Sequence, residues 1–199
     1  TEQTSGRGRL DRTWTSPPGA GLWFSALLRT QRPVADVGVV PLLSAVAIAR
    51  TLNQDWGLTS SVKWPNDVLI GEKKVCGVLS ELVVTPQGLA LVVGTGVNIA
   101  LAEADFPVPT ATSLVLEGAQ TTLDGVLAAY LTEFARITRV FTSAAGNVRS
   151  SGLLDQVTEL CNTIGKSVRV ELPSGESLVG TAIGLSENGS LIVEMSNCA

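Results

Sequence analysis

Apolar residues in the first half of the chain recur with two different periods. Residues 20–29 are apolar on both alternating faces, which is typical of a strand buried on both sides. From 35 to 56 the apolar residues recur every three or four positions until Gly57, which predicts a helix with Pro41 in its first turn. Four further strands are predicted after that helix, at residues 61–64, 67–70, 74–85 and 89–100.

The second half of the chain changes character once. A proline-containing loop at 105–112 leads to an amphipathic helix predicted at 121–142. Beyond Gly165, short alternating strands joined by tight turns are predicted at 167–172, 177–185 and 190–195. We therefore predict an α+β fold, with a mixed β-sheet and helices in residues 1–160 and a small barrel-like module in residues 165–199.

The composition indicates a globular protein with a substantial core. Of 199 residues, 45% are hydrophobic and 16% are charged, which excludes a disordered chain. No apolar run has the length of a membrane span and the first residues lack a secretory signal pattern, so we expect a cytoplasmic protein without a membrane partner. Cys76, Cys161 and Cys198 are odd in number and far apart, which predicts reduced thiols.

The chain contains no histidine. This excludes a Ser–His–Asp triad, a Cys–His pair and a zinc site built from histidines, and we expect no protein-bound metal. Catalysis would have to rely on Lys, Arg, Asp, Asn and backbone dipoles. Such groups promote acyl-phosphate and phosphoryl chemistry by positioning the reactants and neutralising their charge.

A basic glycine-containing segment lies near the start of an acidic protein. Residues 1–32 hold five basic and two acidic side chains, while the remaining residues hold nine basic and sixteen acidic ones. Within the predicted loop at 6–12, glycine permits close backbone approach and arginine matches phosphate or carboxylate oxygens. On this segment alone, an anion-binding loop and a solvated basic turn remain equally open.

Three other segments carry candidate chemistry. The first, Lys-Trp-Pro-Asn-Asp at 63–67, presents an amide beside a carboxylate, although a turn whose side chains bond their own backbone is the alternative. The second, at 73–77, places a lysine at a strand start near Gly77, although paired lysines more often face solvent. The third, Gly-Thr-Gly-Val-Asn at 94–98, predicts close backbone approach to a ligand or to a packed helix, and lacks the pattern of a dinucleotide-binding fold.

In this order and spacing, the four segments resemble the catalytic domain of biotin–protein ligases, also called biotin–[acetyl-CoA-carboxylase] ligases. The likeness covers residues 1 to about 100 with specific motifs, and residues 165–194 resemble the SH3-like C-terminal domain of that family. The resemblance implies a class II aminoacyl-tRNA-synthetase-like sheet with helices on one side. It also implies formation of biotinyl-5′-AMP from ATP and biotin with Mg²⁺, and transfer of biotin to a lysine of a biotin carboxyl carrier protein.

The resemblance also implies roles for individual residues. The implied catalytic residues are Lys74, Arg7, Arg9 and Asp67. The implied biotin-binding residues are Gln3, Arg7, Gly8, Arg9, Lys74, Gly77, Gly94 and Gly96. The implied ATP- and adenylate-binding residues are Arg9, Arg12, Trp14, Asn66 and Asn98. Asp67 is expected to organise Lys63 or an arginine, or to assist the acceptor amine.

The chain also departs from the family pattern. Asp11 stands where the family has glycine, and the segment that helps hold the biotin ureido ring is missing. We therefore expect residues 1–160 to be N-terminally incomplete, residues 165–199 to be incomplete as well, and the ligase to be of the monofunctional type that lacks a DNA-binding domain. A homodimer is possible.

Three other functions compete with this interpretation. A lipoate–protein ligase would carry a histidine-containing motif, which this chain lacks. A catalytically inactive fragment that binds the carrier remains an alternative. A nucleic-acid-binding module would need a broad basic surface, whereas the sequence pI is about 4.9, so no nucleic-acid partner is expected.

Overall fold

A five-stranded sheet forms the centre of the computed structural model, which describes residues 2–9, 13–29, 37–106, 108–172 and 174–195. Its strands are Gly21–Arg29 (β3), Ser60–Lys63 (β4), Asp67–Ile70 (β5), Lys73–Thr85 (β6) and Gly88–Asn98 (β7). They lie in the order β3-β7-β6-β5-β4, and each neighbouring pair is antiparallel. Among the described residues, parallel pairing is confined to two isolated bridges, Val62 with Cys161 and Lys74 with Ala111.

Helices cover one face of this sheet. Their bounds are Val40–Trp56 (α1), Leu123–Ser143 (α2) and Leu153–Leu160 (α3). Helix α1 is the central one, because its side chains pack against β4 to β7 as well as against α2 and α3. It has Pro41 in its first turn and ends at Gly57, whose φ of 64° is the left-handed conformation that glycine adopts without a steric cost. The predicted α+β fold with helices on one side is therefore confirmed, with an antiparallel sheet in place of the predicted mixed one.

The start of the chain differs from the prediction. Residues predicted to begin a loop form strand β1 (Gln3–Arg7), which pairs antiparallel with β2 (Thr13–Ser16). The prediction of a loop at Gly6 and Arg7 is wrong because Gly6 lacks a side chain: a Cβ there would collide with the Trp14 carbonyl oxygen, so glycine allows the two strands to approach. Residues 10–12 of the predicted loop lie outside the described residues.

The last strands form a separate small sheet in the order β10-β9-β8. Their bounds are Ser167–Glu171 (β8), Ser177–Leu185 (β9) and Leu191–Met195 (β10), close to the predicted segments. Helix α3, which the sequence did not predict, lies before this sheet and contacts β9. The backbone N–H of Gly165 donates to the Ala182 carbonyl at 2.7 Å. The division of the chain into two domains, residues 1–160 and residues 165–199, stays a prediction.

Two further expectations bear on cysteines and membranes. Cys76 and Cys161 are buried free thiols, as predicted, and Cys198 lies outside the described residues. Burial raises the pKa of the Cys76 thiol, so this group stays protonated at neutral pH. Within the described ranges, each helix is too short or too polar to cross a bilayer.

Candidate active site

A cavity of about 1220 Å³ lies along the sheet face opposite the helices. Successive residues of a strand point to opposite faces, so β6 and β7 each serve both sides. The side chains of Val78 on β6 and Thr95 on β7 are buried towards the helices. The glycines next to them, at 77, 94 and 96, face the cavity. Their cross-strand partners on β3, Trp23 and Ser25, line the cavity as well.

The glycines give this cavity a flat floor. A Cβ on Gly96 would lie 3.1 to 3.3 Å from atoms of the Trp14 indole. A Cβ on Gly77 would lie 3.2 Å from Cε and Nζ of Lys74 and 3.4 Å from Trp14. The Trp14 ring therefore makes the close approach predicted at Gly96, whereas a Cβ on Gly94 would lie 3.4 Å from the Leu79 carbonyl oxygen and 3.8 Å from Oγ of Ser25. Because no helix atom is among these neighbours, the alternative of helix packing is excluded.

Lys74 lies at the centre of the site. A register shift between β5 and β6, where Val68 pairs with Cys76 but Leu69 pairs with Lys74, marks a bulge next to this residue. The Lys74 ammonium lies 2.6 Å from Oδ1 of Asp67 and 5.5 Å from the centre of the Trp14 ring. Both members of the ion pair are partly exposed, at 33% for Lys74 and 25% for Asp67, so they can be reached from the cavity.

Asp67 has a different partner from the one expected. The resemblance pointed to Lys63 or an arginine, whereas the structure pairs Asp67 with Lys74. Residues 67 and 74 lie on adjacent antiparallel strands, joined by the turn at 71–72. The pairing therefore depends on the register of that hairpin, which the residue pattern alone does not fix.

The turn before β5 presents Asn66 to the cavity. Its Nδ2 donates to the Val78 carbonyl at 2.6 Å, and the Val78 N–H donates back to the Asn66 carbonyl at 2.9 Å. Arg9 Nη1 lies 3.5 Å from Oδ1 of Asn66. The Asn66 side chain thus bonds to strand β6 and the Asp67 side chain to Lys74, so the alternative of a turn whose side chains bond their own backbone is excluded.

The β1–β2 hairpin brings part of the basic segment to the cavity. Gln3, Gly8, Arg9 and Trp14 line the cavity wall. Arg7 does not line it: its guanidinium is 72% exposed and lies 2.6 Å from Glu81. Arg12 falls outside the described residues.

Asn98 is placed away from the cavity lining. Its side chain is only 6% exposed, and Nδ2 donates to the Thr112 carbonyl at 3.0 Å. Thr112 N–H donates to the Lys74 carbonyl at 2.9 Å, and Lys74 N–H donates to the Thr110 carbonyl at 2.7 Å. Asn98 therefore holds the segment that braces the Lys74 backbone, and its role towards adenine stays a prediction.

Several cavity residues were given no binding or catalytic role from the sequence, although four of them (Lys63, Trp64, Pro65 and Thr95) lie in the candidate segments at 63–67 and 94–98. They are Trp23, Phe24, Ser25, Lys63, Trp64, Pro65, Leu69, Glu72, Val78, Leu79, Thr95, Val108 and Thr110. The serine at position 25 had a signal, because it is a polar residue within an otherwise apolar strand. No sequence signal marked Thr110, because it reaches the site through the hydrogen bond that its carbonyl accepts from the Lys74 N–H.

A buried chain of hydroxyls lies behind the floor. Ser44 Oγ lies 3.0 Å from the Tyr130 hydroxyl and 3.4 Å from Oγ1 of Thr95. Tyr130 packs between Phe24 and Phe134, with ring centres 5.0 and 5.3 Å away. Burial raises the pKa of Tyr130 to about 12, so its hydroxyl stays protonated. These hydroxyls tie α1 and α2 to the strand whose glycines form the floor.

The charge of the cavity suits an anionic ligand. Its described lining carries Arg9, Lys63 and Lys74 against Asp67 and Glu72, although the whole chain has a net charge of −4. No group of three potential metal-ligating side chains occurs within the described residues. Because the Asp67 carboxylate is paired with Lys74, these residues do not build a protein-held metal site.

Comparisons with known proteins identify the family of the chain. The model of the Biotin/lipoate A/B protein ligase family matches residues 1–98, and that of the Biotin protein ligase C terminal domain matches residues 163–197. The biotin–[acetyl-CoA-carboxylase] ligase of Mycobacterium tuberculosis is 32% identical over 202 residues, which cover 97% of this chain and 71% of that protein. The bifunctional ligase/repressor BirA of Escherichia coli is 31% identical over 198 residues, which cover 96% of this chain.

The solved structures give the same result. The biotin protein ligase from Aquifex aeolicus in complex with biotin and ATP superposes with a TM-score of 0.79 at 29% identity. The match covers 96% of this chain and 78% of that one. This chain spans 59% of the length of the BirA proteins of Bacillus spizizenii and E. coli.

Proposed function

The chain belongs to the biotin protein ligase family, and on that premise we propose that it is an ATP-dependent biotin–protein ligase. It would form biotinyl-5′-AMP from biotin and ATP with release of pyrophosphate, and then transfer biotin to a lysine of a biotin carboxyl carrier protein. The observation that carries the proposal is the Lys74–Asp67 pair above the glycine floor of a cavity lined by the family's motif residues.

Biotin would lie on the floor, with its carboxylate towards Lys74. The glycines at 77, 94 and 96 leave room for a flat ligand beside Trp14, and Ser25 and Gln3 offer polar groups at the edges. Apolar rings in such a cavity suit an apolar ligand body, while a few polar groups fix its orientation. The predicted role of Arg7 in binding biotin would require its guanidinium to leave Glu81 and turn towards the ligand.

ATP would lie beside Asn66 with its α-phosphate towards Lys74 and Arg9. One carboxylate oxygen of biotin attacks the α-phosphorus, and the bond from that phosphorus to the pyrophosphate oxygen breaks. The reaction brings two anions together, so fixed positive charges lower the barrier. Mg²⁺ would arrive on the phosphates of ATP, since this ion binds mainly through substrate phosphates and water.

Asp67 would act at both steps of the reaction. Before substrates bind, it holds the Lys74 ammonium in place at 2.6 Å. When phosphate and carboxylate oxygens enter, they compete with Asp67 for that ammonium. In the second step the carrier amine attacks the acyl carbon of biotinyl-5′-AMP, and AMP leaves as the bond between that carbon and the phosphate oxygen breaks. The amine loses a proton in this step, and the Asp67 carboxylate is a suitable acceptor for it.

One assay separates this function from its alternatives. The chain is incubated with labelled biotin, ATP, Mg²⁺ and a carrier domain, and both pyrophosphate release and labelling of the carrier are measured. A ligase gives both signals. Carrier binding without labelling would indicate an inactive carrier-binding module. In a parallel incubation lipoate replaces biotin, and labelling of the carrier with lipoate but not with biotin would indicate a lipoate ligase. An oligonucleotide shift assay serves as the control for nucleic-acid binding.

The cytoplasmic location and a possible homodimer stay predictions. Light scattering of the purified chain, with and without biotin and ATP, measures its oligomeric state directly.

A further inference from the structure

Trp64 joins the candidate site to the C-terminal part of the chain by two hydrogen bonds, one to the turn between β9 and β10 and one to Thr163, which precedes β8. Its indole N–H donates to the Gly189 carbonyl at 2.9 Å, and its backbone N–H donates to Oγ1 of Thr163 at 2.9 Å. Both partners lie about 100 residues or more further along the chain. Trp64 is two residues before Asn66 and three before Asp67, so these bonds fix the turn that presents both side chains.

The accepting carbonyl belongs to a rigid turn between β9 and β10. The Ser186 N–H donates to the Ser190 carbonyl at 2.9 Å, the Ser190 N–H donates to Oγ of Ser186 at 3.1 Å, and the Gly189 N–H donates to the Ser186 carbonyl at 2.9 Å. Gly189 has a φ of 84°, and a Cβ on it would lie 3.1 Å from Val39 Cα and from Leu42 Cδ1. The turn therefore packs against the start of α1, where a side chain in place of Gly189 would crowd Val39 and Leu42.

The turn at 64–67 is held from the opposite side as well. Asn66 exchanges hydrogen bonds with Val78 of β6, and Asp67 is paired with Lys74. A second cavity of about 420 Å³ lies between the two turns, and it is lined by Arg9, Asn66, Ser80 and Asn188 among others. Strand β6 and the C-terminal sheet thus clamp the presenting turn between them.

We propose that Trp64 is a positioning residue through which Thr163 and the C-terminal sheet hold the turn at 64–67, and with it Asn66, in the geometry that binds the nucleotide. This inference rests on the proposed function, and it adds a specific task for the C-terminal sheet. The hydrogen bonds are neutral and partly buried. Loss of one of them would leave a buried carbonyl or N–H without its partner and loosen the turn.

Paired substitutions separate the hydrogen bonds from bulk packing. Trp64→Phe keeps an aromatic ring but removes the donor to Gly189. Thr163→Val removes the acceptor for the Trp64 backbone N–H, while Thr163→Ser keeps it. Trp56→Phe is the matched control, because Trp56 ends α1, packs against the core and does not line the main cavity.

Two measurements are made on the full chain. Amide hydrogen exchange at residues 63–67 is expected to accelerate several-fold in Trp64→Phe and Thr163→Val, with residues 91–97 unchanged. In the adenylation assay the KM for ATP is expected to rise roughly 3- to 10-fold in both variants, because each loses one hydrogen bond. The KM for biotin stays within about twofold, and Thr163→Ser and Trp56→Phe resemble the unaltered chain.

The exchange measurement does not depend on activity, so it separates the two proposals. If the unaltered chain forms no adenylate, the proposed function fails, and exchange at 63–67 still decides whether Trp64 positions the turn. Unchanged exchange at 63–67 in both variants would overturn the positioning role. Equal rises in the KM for ATP and for biotin, or an equal effect of Trp56→Phe, would show a general loss of stability and overturn it too.

Discussion

The two faces of the central sheet are built by neighbouring residues of the same strands, yet one face belongs to the hydrophobic core and the other lines the candidate site. Towards the helices, Cys76, Val78, Val93 and Val97 are buried in the main core. One residue away on the other face, glycines form the floor of the cavity, and the Trp14 ring and the Lys74–Asp67 pair lie above it. The comparison teaches that stability and ligand binding are separated here by the two-residue period of a strand, not by distance along the chain.

The largest expected effect is on the open face. Lys74→Ala removes the ammonium expected to neutralise the reacting phosphate, so adenylate formation should fall by a factor of about 10² to 10³. The side chain is partly exposed, and the fold should survive. Pyrophosphate release at saturating substrates measures the loss, and circular dichroism checks the fold.

Lys73→Ala is the matched control for this prediction. Lys73 is the adjacent residue on β6, is exposed, and does not line the cavity. Normal pyrophosphate release by Lys74→Ala, or an equal loss in Lys73→Ala, would contradict the assignment of Lys74 to the reacting centre.

A pair of adjacent substitutions tests the two faces directly. Gly96→Val should push the Trp14 ring off the floor and weaken biotin binding about tenfold or more, with little change in melting temperature. Val97→Ala should do the reverse, because the side chain is buried on the helix face and its truncation costs about 2 kcal/mol of unfolding free energy. Calorimetric titration with biotin and thermal unfolding measure the two effects.

The opposite pair of results would contradict this separation of the two faces of the sheet. If Gly96→Val mainly lowered the melting temperature while Val97→Ala mainly weakened biotin binding, the alternation of the strands would not separate core from site.

A smaller effect is expected from the hydroxyl chain behind the floor. Tyr130→Phe removes the hydroxyl that lies 3.0 Å from Ser44 and keeps the aromatic packing, so it should cost about 1 kcal/mol of unfolding free energy. Adenylation should hardly change, since Tyr130 does not line the cavity. Urea unfolding gives the free energy, and a large loss of activity at unchanged stability would show that this face also serves the chemistry.

These contrasts also show which features the sequence could predict. Strand alternation and the two glycines at 94 and 96 were sufficient to predict a close approach on one face of β7. The identity of the approaching group was not predictable, because Trp14 reaches Gly96 only after the β1–β2 hairpin forms. The short-range pattern contains no information about which distant segment arrives there.

Side-chain direction was the other feature that the sequence could not supply. Asn66 lies just before β5 and Asn98 is the last residue of β7. Both were assigned to adenine, yet of the two only Asn66 lines the cavity. Asn98 turns towards Thr112 because residues 110–114 cross the end of β7 there. Such a crossing is set by tertiary packing, which neither periodicity nor motif spacing reveals.

The smallest expected effect lies outside both faces, on α2. The pKa of Glu133 is lowered by the hydrogen bond from Arg136 and by the charges of Arg136 and Arg50. A carboxyl whose pKa is lowered in the folded state contributes stability that is present above its ordinary pKa of 4.5 and is lost as the pH falls through the folded value. Glu133→Gln should therefore remove under about 1 kcal/mol of unfolding free energy at pH 7.

The pH dependence distinguishes this ion pair from a packing effect. Below pH 4.5 the unaltered chain should lose stability more steeply than Glu133→Gln, so the difference between their unfolding free energies should shrink towards acid pH. Urea unfolding from pH 7 to pH 3 measures both curves. A constant difference over that range would mean that Glu133 acts through packing instead of charge, and biotin binding at pH 7 should be the same for both chains because Glu133 lies outside the cavity.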